Sequence, residues 1–196
     1  MPAPRSGRLR LAAESERTPL VPSAVMGMLI FVFTEMMLFA GLLSAFSIVR
    51  AGAVVWPPPG QPRLPIQATA FNTGVLLASA VALFLAQRRF FRDRSAARRP
   101  LLAAMLLGAF FVVFQGVEWV RLVAQGLTLT SSTLGSFFYL IVGLHALHAI
   151  AALGVLVYTW RRLELGWLAQ DQLAAAQVFW YFVVGLWPVL YGVVYL

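Results

Sequence analysis

His145 and His148 are the only histidines in the chain, and both lie in a long apolar stretch that has no charged residues. About 20 apolar residues cross the hydrocarbon core of a bilayer, where an ionisable side chain is costly and indicates function by default. Glu35 and Glu118 lie in two further apolar stretches. Carboxyls and imidazoles at membrane depth can store or relay protons, and the same groups can ligate a metal ion.

The depth of these groups follows from the rise of an α-helix, about 1.5 Å per residue. Glu35 and His148 fall at similar depth near the midplane, with His145 about one turn nearer the outside, so they can meet across helices. His145 and His148 share one helix face and cannot clamp a haem iron from opposite sides. Three interpretations stay open: a polar cluster that fixes helix register, a proton-handling set, and a metal site that adds Glu35 and Glu118.

The composition predicts an all-α integral membrane protein, because 61% of the residues are hydrophobic and only 11% are charged. Strand alternation is absent, and barrel strands would be only about 10 residues long. Each apolar segment is long enough to cross about 30 Å as a helix. The predicted spans are 22–49, 64–87, 100–120, 133–160 and 172–196. We therefore predict a five-helix membrane domain, 21–196, after a polar cytoplasmic tail, 1–20.

All 15 basic residues are arginines, and their distribution predicts the orientation. Twelve lie in the N-terminal tail, the second loop and the fourth loop, whereas Arg50, Arg63 and Arg121 lie on the opposite side. The N-terminus is thus expected in the cytoplasm and the C-terminus in the periplasm of a bacterial inner membrane. Membrane topology and anionic lipid explain the net charge of +8 better than nucleic acid does.

Two packing features follow from single residue types. Small residues recur every four positions in the second span, which predicts a tight contact with another helix. They are Gly74, Ala78, Ala82 and Ala86. Pro188 removes a backbone donor from the fifth span and clashes with the carbonyl of Val184, so we predict a kink there. The chain has no cysteine, which excludes iron–sulfur clusters, covalent haem and thiolate copper centres as its own.

Five motifs occur in order along the spans. They are GMLIFVFTEMMLFAG at 27–41, WPP at 56–58, NTGVLLAS at 72–79, QGVEW at 115–119, and GLHALH at 143–148 after Phe138 and Tyr139. Together they resemble subunit III of the haem-copper oxidases, the cytochrome c oxidase family, over residues 26–196. The chain is similar to the short five-helix form of that subunit. Glu35 falls at the family's buried glutamate, and both histidines fall in its glycine-x-histidine-x-x-histidine helix.

The resemblance implies a non-catalytic structural subunit, with neither a catalytic centre nor a metal in this chain. It implies that the chain packs beside catalytic subunit I and other oxidase subunits, in which haem and copper lie. It also implies bound phospholipid, support of proton uptake during oxygen reduction, and membership of the aerobic respiratory chain, where a supercomplex is one possible assembly. Glu35, Glu118, His145 and His148 are then the candidates for handling protons.

The last helix departs from the family pattern. Tyr181 stands where the family usually has a histidine, Val184 where it has an aspartate, and Pro188 where an apolar residue is expected. These departures keep open an equivalent accessory subunit of a quinol oxidase or a nitric oxide reductase. A small proton-linked transporter is a competing class, although the chain lacks the inverted repeats that are typical of transporters.

Overall fold

The computed structural model describes residues 21–196, so the predicted polar tail, 1–20, lies outside the described residues. The helices are α1 (Ser23–Gly52), α2 (Ile66–Phe90), α3 (Arg98–Ala124), α4 (Thr133–Glu164) and α5 (Gln170–Leu190). A 3₁₀ turn, Ser95–Ala97, precedes α3, and a π-helical turn, Tyr191–Tyr195, follows α5. All five helices are long and apolar enough to cross a membrane. The all-α, five-helix class is confirmed, and residues 21–196 contain no strand.

The helix ends follow from local residue types. Ser132 caps α4, because its hydroxyl accepts a hydrogen bond from the Gly135 N–H at 3.0 Å. Gly126 ends α3 in the left-handed region, with φ of 93°, and the next N–H, of Leu127, bonds back to a carbonyl of the last turn. A side chain with a Cβ rarely adopts this φ, so glycine is the residue that lets the chain turn there.

α5 is the most buried helix and α1 the least. Two tryptophans of α5, Trp180 and Trp187, are fully buried, and their indole N–H groups donate to α2. Trp180 bonds the Ser79 hydroxyl at 3.1 Å, and Trp187 bonds the Thr73 hydroxyl at 2.8 Å. Because the partners run in opposite order along the chain, the two bonds fix an antiparallel register between α2 and α5.

Most of the small-residue stripe lies outside the face that α2 buries within the described chain, and only Ala86 belongs to both. The buried face consists of Thr69, Asn72, Leu76, Ser79, Leu83, Ala86 and Phe90. Gly74 and Ala78 are exposed, Ala82 is half-buried, and a Cβ at Gly74 would meet nothing within 4 Å. The reason is that polar side chains at membrane depth need partners, so α2 turns Asn72 and Ser79 inward. A tight contact of the stripe with a partner chain stays a prediction.

A tight contact between a helix backbone and a side chain lies instead at Gly108 of α3, against the indole of Trp180. A Cβ built on Gly108 would come within 2.7 Å of Cζ2 of Trp180. The indole cannot move aside easily, because it is fully buried and bonded to Ser79. Gly108 is therefore a position of α3 at which a side chain would collide with Trp180 of α5.

Pro188 lies two residues before the end of α5, where the backbone changes to the π-helical turn Tyr191–Tyr195. Proline has no N–H, so the carbonyl of Val184 loses its usual helical donor. Arg50, in the last turn of α1, donates to the carbonyls of Val193 and Leu196 at 3.0 and 3.1 Å. Arg50 thus supplies a charged donor to carbonyl groups that have no helical partner at the end of the helix. The kink at Pro188 stays a prediction.

Gly108→Ala tests the contact between Gly108 of α3 and the Trp180 indole of α5. We expect a loss of stability of roughly 1–3 kcal/mol, as for other overpacked sites, because the new methyl group overlaps the Trp180 indole. The matched control is Gly116→Ala on the same helix, where a Cβ meets nothing within 4 Å. The measurement is the thermal unfolding midpoint of the detergent-purified protein. Equal midpoints for the two variants would contradict the close approach.

Candidate functional site

The structure brings Glu35 and His148 together inside the bundle. Oε2 of Glu35 lies 3.0 Å from Nε2 of His148, and the two side chains are 17% and 10% exposed. The antiparallel packing of α1 and α4 places them in register, as the nearby aromatic contacts show. Phe46 on α1 meets Phe137 on α4, with ring centroids 5.7 Å apart. We call Glu35 and His148 the carboxyl–imidazole pair.

The backbone of α4 sets the tautomer of His148. Nδ1 lies 2.8 Å from the carbonyl oxygen of Leu144, one turn earlier on the helix. A carbonyl oxygen only accepts hydrogen bonds, so Nδ1 carries a hydrogen and donates it. In the neutral imidazole Nε2 is then the acceptor, and it is this atom that faces Glu35.

At 3.0 Å the two atoms are in contact but are not aligned as a hydrogen bond, since Oε2 of Glu35 has no hydrogen-bond partner among residues 21–196, and the number of protons between them decides whether the contact is attractive. An ionised Glu35 facing a neutral His148 would oppose two sets of lone pairs, which is repulsive. A protonated carboxyl facing Nε2, or an imidazolium facing a carboxylate, places one proton between the atoms. In both favourable states the carboxyl–imidazole pair holds one shared proton and has no net charge.

Four phenylalanines surround His148, and we call them the phenylalanine cluster. Their ring centroids lie between 5.6 and 6.4 Å from that of His148. The cluster consists of Phe31, Phe39, Phe179 and Phe182. These rings exclude solvent and provide no strong hydrogen-bonding group, so separated charges in the pair would be poorly compensated. The surroundings therefore favour the state in which the carboxyl keeps the proton.

His145 lies in different surroundings, although it is only three residues away. It is fully buried, and its ring packs on Trp187 with centroids 5.0 Å apart. Neither ring nitrogen has a partner among residues 21–196, and the same holds for Nε1 of Trp119. Both residues line a cavity of about 210 Å³ between α3 and α4. The structure thus separates the two histidines, and only His148 meets a carboxyl.

Glu118 lies apart from the carboxyl–imidazole pair. Its Oε1 contacts Nη1 of Arg121 at 2.6 Å, one turn further along α3. The Glu118 side chain is 7% exposed, whereas that of Arg121 is 65% exposed. The charge of Glu118 is therefore compensated on its own helix. Within residues 21–196, no three histidine, aspartate or glutamate side chains gather as metal ligands would.

A second polar cluster joins three helices, and sequence reasoning named only part of it. Asn72 donates to the carbonyl of Phe111 at 3.1 Å and lies 3.4 Å from the side-chain oxygen of Gln115. Gln115 in turn donates to the hydroxyl of Tyr195 at 3.0 Å. These groups are neutral and largely enclosed. Tyr139 lies outside this cluster and donates to the carbonyl of Leu127 at 2.8 Å.

Sequence reasoning did not predict the hydrogen bonds that Trp180 and Trp187 of α5 donate to α2. A signal was present: Trp180 and Trp187 are seven residues apart, and Thr73 and Ser79 are six apart in an antiparallel span. At about 1.5 Å per residue, seven and six residues rise by similar distances along the two helix axes, as a pair of interhelical bonds needs. No single residue of these four indicates the pairing by itself.

The chain is similar in sequence to known proteins over most of its length. The family model described as "Cytochrome c oxidase subunit III" matches residues 13–196. "Probable cytochrome c oxidase subunit 3" of Nocardia farcinica is 34% identical over 176 residues, covering 86% of this chain and 85% of that protein. The protein of the same name from Mycobacterium leprae is 34% identical over 177 residues, with the same coverage. "Cytochrome c oxidase subunit 3" of Rattus norvegicus is 30% identical over 193 residues, covering 93% of this chain and 73% of the rat protein.

Glu35→Gln tests the protonation of the carboxyl–imidazole pair. We expect a protonated-carboxyl infrared band at neutral pH, above the carboxylate region, because the phenylalanine cluster disfavours charge separation. The band should disappear in Glu35→Gln. The matched control is Glu118→Gln, which removes a carboxylate paired with Arg121 and should leave the band unchanged. A spectrum of the unchanged protein without this band would contradict the prediction.

Proposed function

Since the chain belongs to the cytochrome c oxidase subunit III family, it is a structural subunit III of a haem-copper oxidase, and we propose that its carboxyl–imidazole pair supports proton uptake by the catalytic subunit. The observation that carries this proposal is the 3.0 Å contact between Glu35 and His148. A pair that holds one proton without net charge can keep that proton at membrane depth at low cost.

The remaining titratable groups support this assignment to the pair. Glu118 is engaged by Arg121, and His145 meets no carboxyl. In the last helix Tyr181 and Val184 replace the family's usual histidine and aspartate. A proton store in the membrane part of this chain therefore has to include Glu35 and His148.

We place the chain in the bacterial cytoplasmic membrane, with its N-terminus in the cytoplasm. Twelve of the 15 arginines lie in segments that this orientation puts on the cytoplasmic side. The five apolar helices fit a multi-pass membrane protein, and the loop between α2 and α3 is then cytoplasmic. Proton uptake for oxygen reduction would draw on that side.

The partners follow from the same assignment. Haem and copper lie in other subunits of the assembly, above all in catalytic subunit I, and this chain packs beside it. Phospholipid fills the contacts that the bundle leaves open, and a respiratory supercomplex is a further level of assembly. Whether cytochrome c or quinol donates electrons depends on those partner subunits, so a quinol oxidase uses such a subunit equally well.

Purification through a tag on this chain tests the assembly. In mild detergent we expect a larger chain to co-purify, with haem in the optical spectrum and copper by elemental analysis. Mass spectrometry of the intact complex then identifies the oxidase class. Recovery of a stable, haem-free protein without partners would contradict the proposed assembly.

Turnover of the purified complex tests the proton-handling role. We expect Glu35→Gln to assemble but to lose activity during sustained turnover at high pH, where protons are scarce, while its initial rate at low pH stays near normal. Glu118→Gln is the matched control, because it removes a carboxyl outside the pair. If Glu35→Gln assembles and turns over normally at every pH, Glu35 is only a structural hydrogen-bonding group.

A further inference from the structure

The cavity of about 210 Å³ between α3 and α4 lies inside the membrane part of the bundle. We call it the α3–α4 cavity. Most of the residues that line it are apolar, and four of them carry polar side-chain atoms. These four are Gln115, Trp119, His145 and Trp187. The cavity shares no residue with the carboxyl–imidazole pair.

Two of the four polar residues already have partners within the chain. Gln115 donates to the Tyr195 hydroxyl at 3.0 Å. The indole N–H of Trp187 donates to the Thr73 hydroxyl at 2.8 Å. These two side chains therefore belong to the internal hydrogen bonding of the bundle.

The other two polar residues have no partner among residues 21–196. Both ring nitrogens of His145 and Nε1 of Trp119 are buried, and none of the three makes a hydrogen bond there. His145 as a whole is only 1% exposed. A buried donor or acceptor without a partner costs the desolvation free energy of that group, so native proteins usually supply a partner. Three such nitrogens beside one cavity indicate a ligand that hydrogen-bonds to them.

The chemistry of these nitrogens defines what the ligand must offer. The indole of Trp119 only donates, and a neutral imidazole at His145 donates from one ring nitrogen and accepts at the other. A matching ligand therefore supplies oxygen acceptors for two N–H groups. None of the described residues that line the cavity is charged, so a ligand with a net charge would be uncompensated there. The cavity thus favours an uncharged molecule with carbonyl oxygens.

The two unpaired side chains lie at similar depth. A Cβ built on Gly143 would lie 3.6 Å from Cη2 of Trp119. Gly143 is two residues before His145 on α4, which corresponds to a rise of about 3 Å. Because Trp119 and His145 also line the same cavity, a single ring can contact both.

The depth of the cavity separates its ligand from a phospholipid. His145 lies three residues, about 4.5 Å along the helix, from His148, which we place near the midplane. The hydrocarbon core extends about 15 Å on each side of the midplane, so phospholipid ester carbonyls at its boundary stay roughly 10 Å from His145. An acyl chain at the depth of His145 has no oxygen that could accept a hydrogen bond.

The cavity is open to the outside of the bundle. Gly116 of α3 and Ile150 of α4 both line it, and both are exposed. Pockets that enclose a whole drug-sized ligand have volumes of roughly 300–1,000 Å³. The α3–α4 cavity is smaller, so it can hold a ring headgroup while a long apolar tail leaves past Gly116 and Ile150.

We propose that the α3–α4 cavity binds the headgroup of a membrane-soluble quinone. Quinones dissolve in hydrocarbon and carry two carbonyl oxygens on an uncharged planar ring. The N–H groups of Trp119 and His145 donate to these oxygens, and the apolar tail extends past Ile150 into the lipid. The proposal concerns binding and involves no electron transfer. It rests on the position of the chain in the membrane and is independent of the proton-uptake role of the carboxyl–imidazole pair.

The test uses protein purified in mild detergent through a tag on this chain, with the partner subunits that it retains. The probe is an azido-benzoquinone with a decyl tail, which is photolysed and then located by mass spectrometry of peptides. We expect labelling of the α3 and α4 peptides of this chain, and displacement of the probe by decyl-benzoquinone. Quinone sites on partner subunits label other chains and do not enter the comparison. Absence of label from α3 and α4 at a saturating probe concentration would overturn the proposal and leave a cavity that holds only water.

Two variants, Trp119→Phe and His145→Leu, each remove one donor. Each lost hydrogen bond should weaken binding about fivefold, measured as the probe concentration that gives half-maximal labelling. The matched control is Trp160→Phe, the same substitution at a residue of α4 outside the cavity, which should bind like the unchanged protein. Equal binding by Trp119→Phe and by this control would overturn the proposal. If His145→Leu does not fold, Trp119→Phe alone decides, because it keeps an aromatic ring against Phe138 and Tyr139.

Two competitors identify the class of ligand. Decylbenzene has the same tail but no carbonyl, and it should not displace the probe. Phosphatidylglycerol should not displace it either, because its ester carbonyls stay at the boundary of the hydrocarbon core. Displacement by decylbenzene would show a purely apolar site, and displacement by phosphatidylglycerol a lipid site, and either result would overturn the proposal. If the chain purifies without an oxidase, it is the proposed assembly that fails, while labelling of α3 and α4 still decides the quinone site.

Discussion

Hydrocarbon offers no hydrogen-bonding partners, so a polar group at membrane depth is stabilised by a partner inside the bundle. This constraint determines how the five helices fit together. Glu35 meets His148 across α1 and α4, and Trp180 and Trp187 bond the hydroxyls of α2. Each contact fixes the register of two helices along their axes and the rotation of each helix about its own axis. Apolar packing alone would be less selective, because lipid and apolar side chains solvate a helix face about equally well.

Under the same constraint, a structural role and a proton-handling role of the carboxyl–imidazole pair are compatible. Glu35 and His148 bring α1 and α4 into contact. Losing the proposed proton would leave a carboxylate and a lone pair opposed within the phenylalanine cluster. The proposed proton occupancy would therefore be coupled to the packing of these two helices. A neutral hydrogen bond, such as that of Trp187 with Thr73, has no such dependence.

The sequence predicts what depends on position along a helix, whereas the rotation of a helix about its axis depends on distant partners. Helix number follows from hydropathy, which is a local property of each segment. The meeting of Glu35 with His148 follows from depth, which counting residues provides. The spacing of Gly74 and Ala78 predicted a close contact but could not tell which face of α2 turns inward. Trp180, the large side chain that meets Gly108, belongs to a helix distant in sequence, so the sequence of α3 alone does not indicate this contact.

The position of the carboxyl–imidazole pair distinguishes it from the other polar cluster. Asn72, Gln115 and Tyr195 are buried in the bundle and are joined by hydrogen bonds. Glu35 instead belongs to α1, the helix that the rest of the bundle covers least, and its side chain stays 17% exposed. A purely structural contact gains nothing from a place at the edge. A group that exchanges protons with a neighbouring subunit needs such a place, because one helix thickness is all that separates it from a partner packed against α1.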